Sequence, residues 1–432
     1  MSSRPSCAHA CLVFCFTILA LGPRAGAENW PGWRGPTGQG LSRETDLPLN
    51  WSATENVRWK TPLPDAGNSS PVIWGDRVFV TQASEKTSWP PERDPKIPEG
   101  TSGGGAAVAR MRSLLCFNRS DGALLWRRDV VYESPEPTHA TNPFCSATPV
   151  TDGERVIASH GSAGLVCYDM QGEPLWKHDV GKLDHVWGNA SSPILYGDLV
   201  ILWCGPGSRQ FLLAVNKNTG EKVWEHAEPN AEQGSDLQGT WATPTVARVR
   251  ERDQLILPFP YVIKAFDPES GRELWQDRGP GNFVYGSAMF RDNRAVFGRD
   301  VYTLGAEGVT DVVRLERGGG GRGPHSGVVV GDHLFVGGTV PNCFDIKTGE
   351  ELWQSQIDTR PGVGTVWGSM VHADGKVYFT DQRGTTLVLA AGPKYEVLAI
   401  NKLDEHTNAS IAISQGDLFI RTWKHLWCIG GK

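Results

Sequence analysis

Residues 343–353 of the chain read CFDIKTGEELW, and the same pattern occurs four more times. The other copies are CFNRSDGALLW at 116–126, CYDMQGEPLW at 167–176, AVNKNTGEKVW at 214–224 and AFDPESGRELW at 265–275. Each copy has a small residue, an Asp or Asn two positions later, a turn that ends in Gly, and a Trp. Alternating residues before such a turn indicate a β-hairpin, because Asx and Thr side chains bond nearby backbone and Gly accepts a positive φ. The repeat therefore predicts hairpins in series.

The Trp that ends each copy predicts how the hairpins pack. A buried Trp removes roughly 150–250 Å² from water. A repeat of roughly 40–50 residues made only of strands is typical of a propeller blade. One blade cannot cover its own apolar faces, so neighbouring blades must stack. The chain of 432 residues, with 17 Trp and 51 Gly, is predicted to be an all-β protein.

The number of blades follows from the segments that begin with a small-residue turn and continue as an apolar strand. These segments start at Asn68, Cys145, Asn189, Trp241, Tyr285, His325, Trp367 and Asn408. Segments 309–316 and 395–403 lack the expected Trp, so seven blades is the alternative if one of them is misread. Residues 56–62 form a strand without a preceding hairpin, and the last segment ends before its outer strand. We predict an eight-bladed β-propeller whose last blade is closed by an N-terminal strand, which removes two exposed edges.

The first 27 residues are predicted to be a secretory signal peptide. Arg4 precedes an apolar run at 12–21, and small residues at 25–27 form a cleavage site. An uncleaved anchor is the alternative. No other apolar run is long enough to span a membrane. We expect an exported protein, periplasmic or extracellular after cleavage near Ala27, with an N-terminal arm at 28–55 and the propeller at 56–432.

The net charge of the sequence limits the classes of partner, and the spacing of its cysteines limits which disulfides can form. The net charge of −6 loses two arginines with the signal peptide, so the mature chain carries −6 − 2 = −8. An acidic chain argues against a nucleic-acid partner.

Four of the six mature cysteines share one repeat position, on sheets about 10 Å apart, whereas a disulfide needs Cα atoms within about 7 Å. They are predicted to be buried free thiols, and a Cys145–Cys204 pair is left open.

Motifs that carry chemistry are missing from the sequence. The Gly run at 318–323 fits a dinucleotide pattern, but no helix pattern follows it, so we interpret it as a flexible turn. The histidines show no metal-ligand spacing. We predict no catalytic residue and no metal site. The inserts at 84–110 and 229–240 are interpreted as either functional or disordered.

The turns that enter the inner strands supply the candidate binding site. In a propeller these turns converge on one mouth of the central channel, where aromatic and amide groups suit a planar or sugar-like ligand or a peptide. The alternative is that these residues pack between blades and cap the strands. The candidate residues are Asn68, Trp187, Asn189, Trp241, Tyr285, His325, Trp367 and Asn408.

The A-x-D-x-x-[ST]-G-x-x-L-W repeat resembles the pyrroloquinoline-quinone (PQQ) type propeller repeat. The resemblance covers nearly all of the mature chain and implies the propeller fold, but it does not imply quinone binding. Similar blades occur in quinoprotein dehydrogenases and in the scaffold lipoprotein of the outer-membrane β-barrel assembly machine. The arm WPGWRGPTGQGLS, followed by NVRWKTPLP, resembles a group of exported bacterial PQQ-like propeller proteins.

The catalytic features of the enzymes do not carry over to this sequence. Those enzymes typically have two adjacent cysteines over the quinone, a Ca²⁺ site and an Asp base, and no position here matches them. We therefore expect an exported binding or scaffold propeller without a cofactor, whose partner is an unknown protein or small-molecule ligand. The alternative is an oxidoreductase that uses PQQ with calcium on alcohols or sugars. A carbohydrate-binding module, suggested by the surplus Trp, is the third possibility.

Overall fold

The structure is a computed structural model that describes residues 28–84, 104–107, 111–134, 136–229, 238–279, 281–316, 325–337, 341–355 and 365–431, with only the backbone at 104–107. In these residues the regular structure is almost entirely β, with one short 3-10 helix, η1 (Gly161–Ala163). The prediction of an all-β protein is confirmed. The predicted signal peptide, most of the first insert, residues 230–237 of the second and the Gly run lie outside the described residues.

Eight sheets of four antiparallel strands form the eight blades. Blade 8 takes β1 (Val57–Pro62) from the N-terminus. Blade 1 contains β2 (Val72–Trp74), β3 (Arg77–Ser84), β5 (Met111–Asn118) and β6 (Leu124–Val131). Blade 2 contains β8 (Val150–Thr151), β9 (Arg155–Ser159), β10 (Leu165–Asp169) and β11 (Pro174–His178). Blade 3 contains β12 (Ile194–Tyr196), β13 (Leu199–Cys204), β14 (Gln210–Asn216) and β15 (Lys222–Glu228). Blade 4 contains β17 (Thr245–Val249), β18 (Arg252–Phe259), β19 (Val262–Phe266) and β20 (Glu273–Arg278).

The second half of the ring repeats this arrangement. Blade 5 contains β22 (Met289–Arg291), β23 (Arg294–Phe297), β24 (Asp300–Leu304) and β25 (Val309–Arg314). Blade 6 contains β26 (Val328–Val330), β27 (His333–Val336), β28 (Asn342–Asp345) and β29 (Glu351–Gln354). Blade 7 contains β30 (Val371–Ala373), β31 (Lys376–Thr380), β32 (Thr385–Ala390) and β33 (Val397–Lys402). Blade 8 adds β34 (Ala412–Ser414), β35 (Asp417–Arg421) and β36 (His425–Gly430) to β1. Two short pairs lie outside the blades, β4 (Gly104–Ala107) with β7 (Glu136–His139) and β16 (Gly239–Thr240) with β21 (Phe283–Val284).

The ring is closed as the sequence predicts. β1 pairs antiparallel with β36 as the outer strand of the last blade, with Trp59 opposite Cys428. The side chain of Arg58 also bonds Asp417 on β35 at 2.7 Å. The outer strands β25 and β33 complete their blades without the repeat Trp, so the count of eight blades is confirmed and the seven-bladed alternative is wrong.

The turn of the repeat is stabilised by its own Asx side chain. Asp345 Oδ1 accepts hydrogen bonds from the backbone N–H groups of Lys347 (2.7 Å) and Thr348 (3.0 Å). Gly349 follows with φ of 79°, in the left-handed region that favours glycine. These contacts explain why every copy has Asp or Asn at one end of the turn and Gly at the other.

The Trp and the Gly of the repeat meet across neighbouring blades. Trp176 of blade 2 donates from Nε1 to the carbonyl of Lys217 in the blade 3 turn, at 2.8 Å. A Cβ added at Gly220 of that turn would lie only 2.7 Å from the Trp176 ring. Trp224 has the same relation to Gly271 of blade 4. These two Trp rings therefore cover the turn of the next blade, and the glycine leaves room for each ring.

Gly220→Ala is expected to lower the free energy of unfolding by about 3 kcal/mol. Alanine at the φ of 74° costs roughly 1–2 kcal/mol, and displacing Trp176 adds an overpacking cost of about 1–3 kcal/mol. Gly197→Ala, in the same blade, is the control because it has φ of 57° and no atom near the added Cβ. Urea unfolding of both variants measures the difference. Equal losses would show that Trp176 does not need the space at Gly220.

The six cysteines among the described residues are buried free thiols. This confirms the prediction for the shared repeat position and excludes the Cys145–Cys204 pair. Burial raises the pKa of Cys116 to about 12. These thiols therefore act as small apolar groups in the sheets.

The N-terminal arm, residues 28–55, crosses the ring on one face. Trp30 exchanges backbone hydrogen bonds with Ile73 of blade 1, and the carbonyl of Gly40 accepts one from His372 of blade 7. The side chain of Gln39 accepts another from the backbone of Phe290 in blade 5. Asn29 and Glu44 of the arm also accept from the backbone just beyond the ends of β2 and β34. The arm therefore covers the channel end opposite the turns that enter the inner strands.

Candidate functional site

A closed ring of hydrogen bonds surrounds the central channel. One Ser or Thr from each blade lies two residues before its inner strand. The backbone N–H of each donates to the hydroxyl of the next blade at 2.8–3.0 Å, and Ser410 donates back to Ser70. We call this set the hydroxyl ring, which consists of Ser70, Thr148, Ser192, Thr243, Ser287, Ser326, Ser369 and Ser410.

A cavity of about 440 Å³ opens above the hydroxyl ring. Seven members of the ring line it, together with aromatic and amide side chains from the entering turns. Its volume lies within the range of small-molecule sites. Six of the eight predicted residues line this cavity; they are Asn68, Trp187, Trp241, Tyr285, Trp367 and Asn408. Binding of a ligand by these residues stays a prediction.

The aromatic wall of the cavity is a set of contacting rings. Trp241 lies 5.1 Å from Tyr285 in a stacked arrangement and 5.6 Å from Trp187. The paired strands β16 and β21 position Trp241 and Tyr285, because Trp241 follows β16 and Tyr285 follows β21. Trp241 Nε1 donates to the carbonyl of Gly188 at 2.8 Å, which fixes its ring. Phe283 extends the wall towards solvent, 5.5 Å from Trp187. The wall therefore offers fixed flat faces.

The amides at the mouth are already engaged with the protein. Asn68 accepts from Trp423 Nε1 at 3.1 Å and donates to the carbonyl of Thr141 at 2.8 Å. Asn408 accepts from Gln382 at 2.8 Å. Both amides therefore hold the mouth together, as the packing interpretation predicts for them, even though they line the cavity.

Two of the predicted residues do not line the cavity. His325 is buried, and its Nε2 lies 2.6 Å from the carbonyl oxygen of Gly337 at the end of its own hairpin. Burial also lowers the pKa of His325 and favours the neutral ring. The Asn189 side chain lies beside Gly161, where an added Cβ would be 3.1 Å from its Oδ1. Both residues lie in turns that enter the inner strands, but their side chains pack against the protein instead of facing the cavity.

Several lining residues are missing from the sequence prediction. Trp33 lines the cavity from the N-terminal arm, and His139 and Asn142 line it from the segment between blades 1 and 2. Those two positions carry no repeat signal. The hydroxyl ring has one, because a Ser or Thr occurs at the same place in all eight blades.

The described lining carries no Asp, Glu, Lys or Arg side chain. Asp184, three residues before the lining residue Trp187, instead accepts from the backbone and side chain of Ser208 at 2.8 and 2.6 Å. Asp236, five residues before Trp241, lies outside the described residues. Protein calcium sites are built mainly from carboxylate and carbonyl oxygens. The side-chain oxygens of the lining amides Asn68, Asn142 and Asn408 already accept hydrogen bonds from the protein. The described residues therefore do not fit a PQQ–calcium pair with an Asp base.

A group of possible metal ligands lies on the outer strands, away from the cavity. His226, Glu228 and Glu273 could together hold an ion. Lys264 Nζ already lies 3.0 Å from Glu228 and 3.1 Å from Glu273, so its ammonium occupies the place of a cation. This group is accounted for as an ion-pair network.

The fold and the mouth define a PQQ-like repeat β-propeller with a ligand-sized cavity at one end of its channel. The family described as outer membrane protein assembly factor BamB matches residues 83–256 and 261–424 of this chain. The chain belongs to that family. No described helix is long and apolar enough to cross a membrane.

Solved structures share the fold at low identity. A europium-containing methanol dehydrogenase is 12% identical over 91% of this chain and 89% of its own, with a TM-score of 0.63. BamB from Moraxella catarrhalis is 15% identical over 74% of this chain and 95% of its own, with a TM-score of 0.52. The quinohemoprotein alcohol dehydrogenase ADHIIG from Pseudomonas putida HK5 is 12% identical over 94% and 80%, with a TM-score of 0.62. These likenesses show the fold alone, and a search of curated proteins finds no match.

Proposed function

We propose that this protein is an exported binding propeller without catalysis of its own. Its mouth binds a small ligand, or a side chain of a partner protein, that has a flat face. The observation that carries the proposal is the cavity of about 440 Å³ with its stacked aromatic wall. Aromatic faces in a preformed concavity favour flat ligands, including sugars and planar rings. Export is supported by the signal-peptide pattern of residues 1–27.

The abundance of Trp does not by itself support a carbohydrate-binding module. Ten Trp residues in the part of the chain that the structure describes are buried; they are Trp30, Trp51, Trp59, Trp203, Trp224, Trp241, Trp275, Trp353, Trp423 and Trp427. Most of them pack within or between blades, as the repeat predicts. A sugar remains one of the ligands that fit the mouth, because the aromatic wall of the cavity offers it a flat face.

Titration of the mature chain with flat probes tests the proposal. The probes are cellotriose, 4-fluorotoluene, 4-fluorophenylacetate and PQQ with and without Ca²⁺, followed by calorimetry or ligand-observed NMR. We expect saturable binding of at least one probe. Trp187→Ala is expected to weaken it about 10-fold, because stacking area is lost.

Tyr261→Ala is the matched control for this titration. Tyr261 is an exposed aromatic residue, 54% accessible, that does not line the cavity. Its loss is expected to leave the dissociation constant unchanged. If no probe binds at millimolar concentration, the proposed function is wrong. Dye reduction by the PQQ- and Ca²⁺-loaded protein with alcohols or sugars would instead establish the oxidoreductase alternative.

A further inference from the structure

The hydroxyl ring has hydrogen-bond donors that the protein does not use. Each ring oxygen accepts from the backbone of the preceding blade. None of these hydroxyls donates to an acceptor among the described residues. All eight side chains belong to buried residues, and seven of them line the cavity. A buried donor without an acceptor is costly, so the ring presents donors that a bound group can satisfy.

A buried arginine lies behind the floor of the same cavity. The guanidinium carbon of Arg34 is 5.6 Å from the ring centroid of Trp33, which lines the cavity. Arg34 donates from Nη2 to the carbonyls of Gln39 (2.5 Å) and Gly327 (2.7 Å). Gly327 directly follows Ser326, the one member of the hydroxyl ring that does not line the cavity, so Arg34 lies outside the lining itself.

Arg34 has no carboxylate partner within the part of the chain that the structure describes. Its Nη1 is buried without a hydrogen-bond partner there. Burial lowers the pKa of Arg34 to about 9. The side chain therefore remains a cation at pH 7, and its charge is not cancelled by any acid of the described lining. Unused hydroxyl donors thus line the floor and an uncompensated positive charge lies behind it, next to Trp33. Together they favour an acceptor that carries negative charge.

We propose that the ligand of this cavity ends in a carboxylate, which accepts hydrogen bonds from the hydroxyl ring while its flat body lies on the aromatic wall. This inference rests on the proposed function and adds the chemistry of one end of the ligand. The wall accounts for the flat body, and the floor accounts for the acceptor group.

Three probes that differ only in their end group test the inference. The probes are 4-fluorophenylacetate, 4-fluorophenylacetamide and 4-fluorotoluene, each titrated into the mature chain and followed by ¹⁹F NMR. We expect the carboxylate to bind about 10-fold more tightly than 4-fluorotoluene, with the amide between them, because charge-assisted bonds exceed neutral ones. Equal dissociation constants would overturn the inference and leave the proposed function standing. No binding of any probe, cellotriose and PQQ included, would overturn both.

Two variants locate the carboxylate within the cavity. Arg34→Gln is expected to weaken 4-fluorophenylacetate about 5-fold or more and to leave 4-fluorotoluene unchanged. Arg299→Gln is the control, because Arg299 also donates to two backbone carbonyls but does not line or adjoin the cavity. If Arg34→Gln does not fold, Thr243→Val keeps the side-chain shape and removes one ring donor, together with the acceptor of the Ser192 N–H. It is expected to weaken 4-fluorophenylacetate and to leave 4-fluorotoluene unchanged. If 4-fluorophenylacetate binds more tightly than 4-fluorotoluene but neither variant weakens its binding, its carboxylate does not lie at the hydroxyl ring. That result would overturn the inference.

Discussion

Replacing Trp353 with alanine is expected to lower the free energy of unfolding by about 3–5 kcal/mol, the usual cost of emptying a large core site. Trp353 is 9% exposed and lies 5.1 Å from Tyr395 of blade 7. Its Nε1 donates to the carbonyl of Gly392 at 3.2 Å, so the ring joins two blades. The measurement is urea unfolding followed by circular dichroism. We expect the same range for Trp275→Ala, since that ring is 7% exposed.

Trp367→Ala is the control for this prediction. Trp367 lines the mouth cavity and is only half-buried. Its removal is expected to cost about 1 kcal/mol, because less apolar area returns to water. Equal destabilisation at Trp353 and Trp367 would favour packing as the role of Trp367. A loss below about 1 kcal/mol at Trp353 would contradict the role of the repeat Trp in joining blades.

Replacing Arg112 with methionine is expected to destabilise the protein by about 3–5 kcal/mol, because Glu136 would remain as an uncompensated buried charge. The two side chains are 2% and 1% exposed, and Arg112 Nη2 lies 2.5 Å from Glu136 Oε2. Arg112 also donates to the carbonyl of His160 at 2.7 Å, and Ser162 donates to Glu136 at 2.7 Å. The pair thus ties blade 1 to the hairpin of blade 2.

The double variant Arg112→Met/Glu136→Gln distinguishes this mechanism from simple loss of packing. Replacing the unpaired Glu136 carboxylate by an amide is expected to restore at least half of the lost free energy of unfolding, because a neutral amide can still accept from Ser162. Lys347→Met serves as the surface control, since the Lys347–Asp332 pair is 52% and 43% exposed and the solvent screens such pairs so that their loss changes stability little. A double variant as unstable as Arg112→Met alone would refute the uncompensated-charge explanation.

The ring of blades is predictable from the sequence because its determinants are local. The Asx residue, the Gly and the Trp recur at fixed spacing, and the strand that closes the ring is recognisable by Trp59. What the spacing does not show is the partner of each Trp. Trp176 covers the turn at Gly220 of the next blade, and no short-range pattern connects those two positions.

The candidate site is predictable only in part, for two physical reasons. The repeat positions a turn at the mouth, but the side chain of that turn can rotate into packing, as His325 and Asn189 do. The arm that carries Trp33 and Arg34 has no periodicity, so its course across the channel follows from long-range contacts alone. The hydroxyl ring had a visible signal, a Ser or Thr in every blade, and this signal could have been read from the aligned repeats.

The hydroxyl ring and the aromatic wall differ in symmetry. The seven ring hydroxyls that line the cavity are arranged around one axis and present a similar floor to a bound group at most rotations about that axis. The contacting rings of Trp187, Trp241 and Tyr285 come from the entries to blades 3, 4 and 5 and occupy one side only. If the floor alone held a ligand, that ligand could rotate about the channel axis. The orientation of a bound ligand about the channel axis is therefore set by the wall, together with the charge of Arg34 behind one side of the floor.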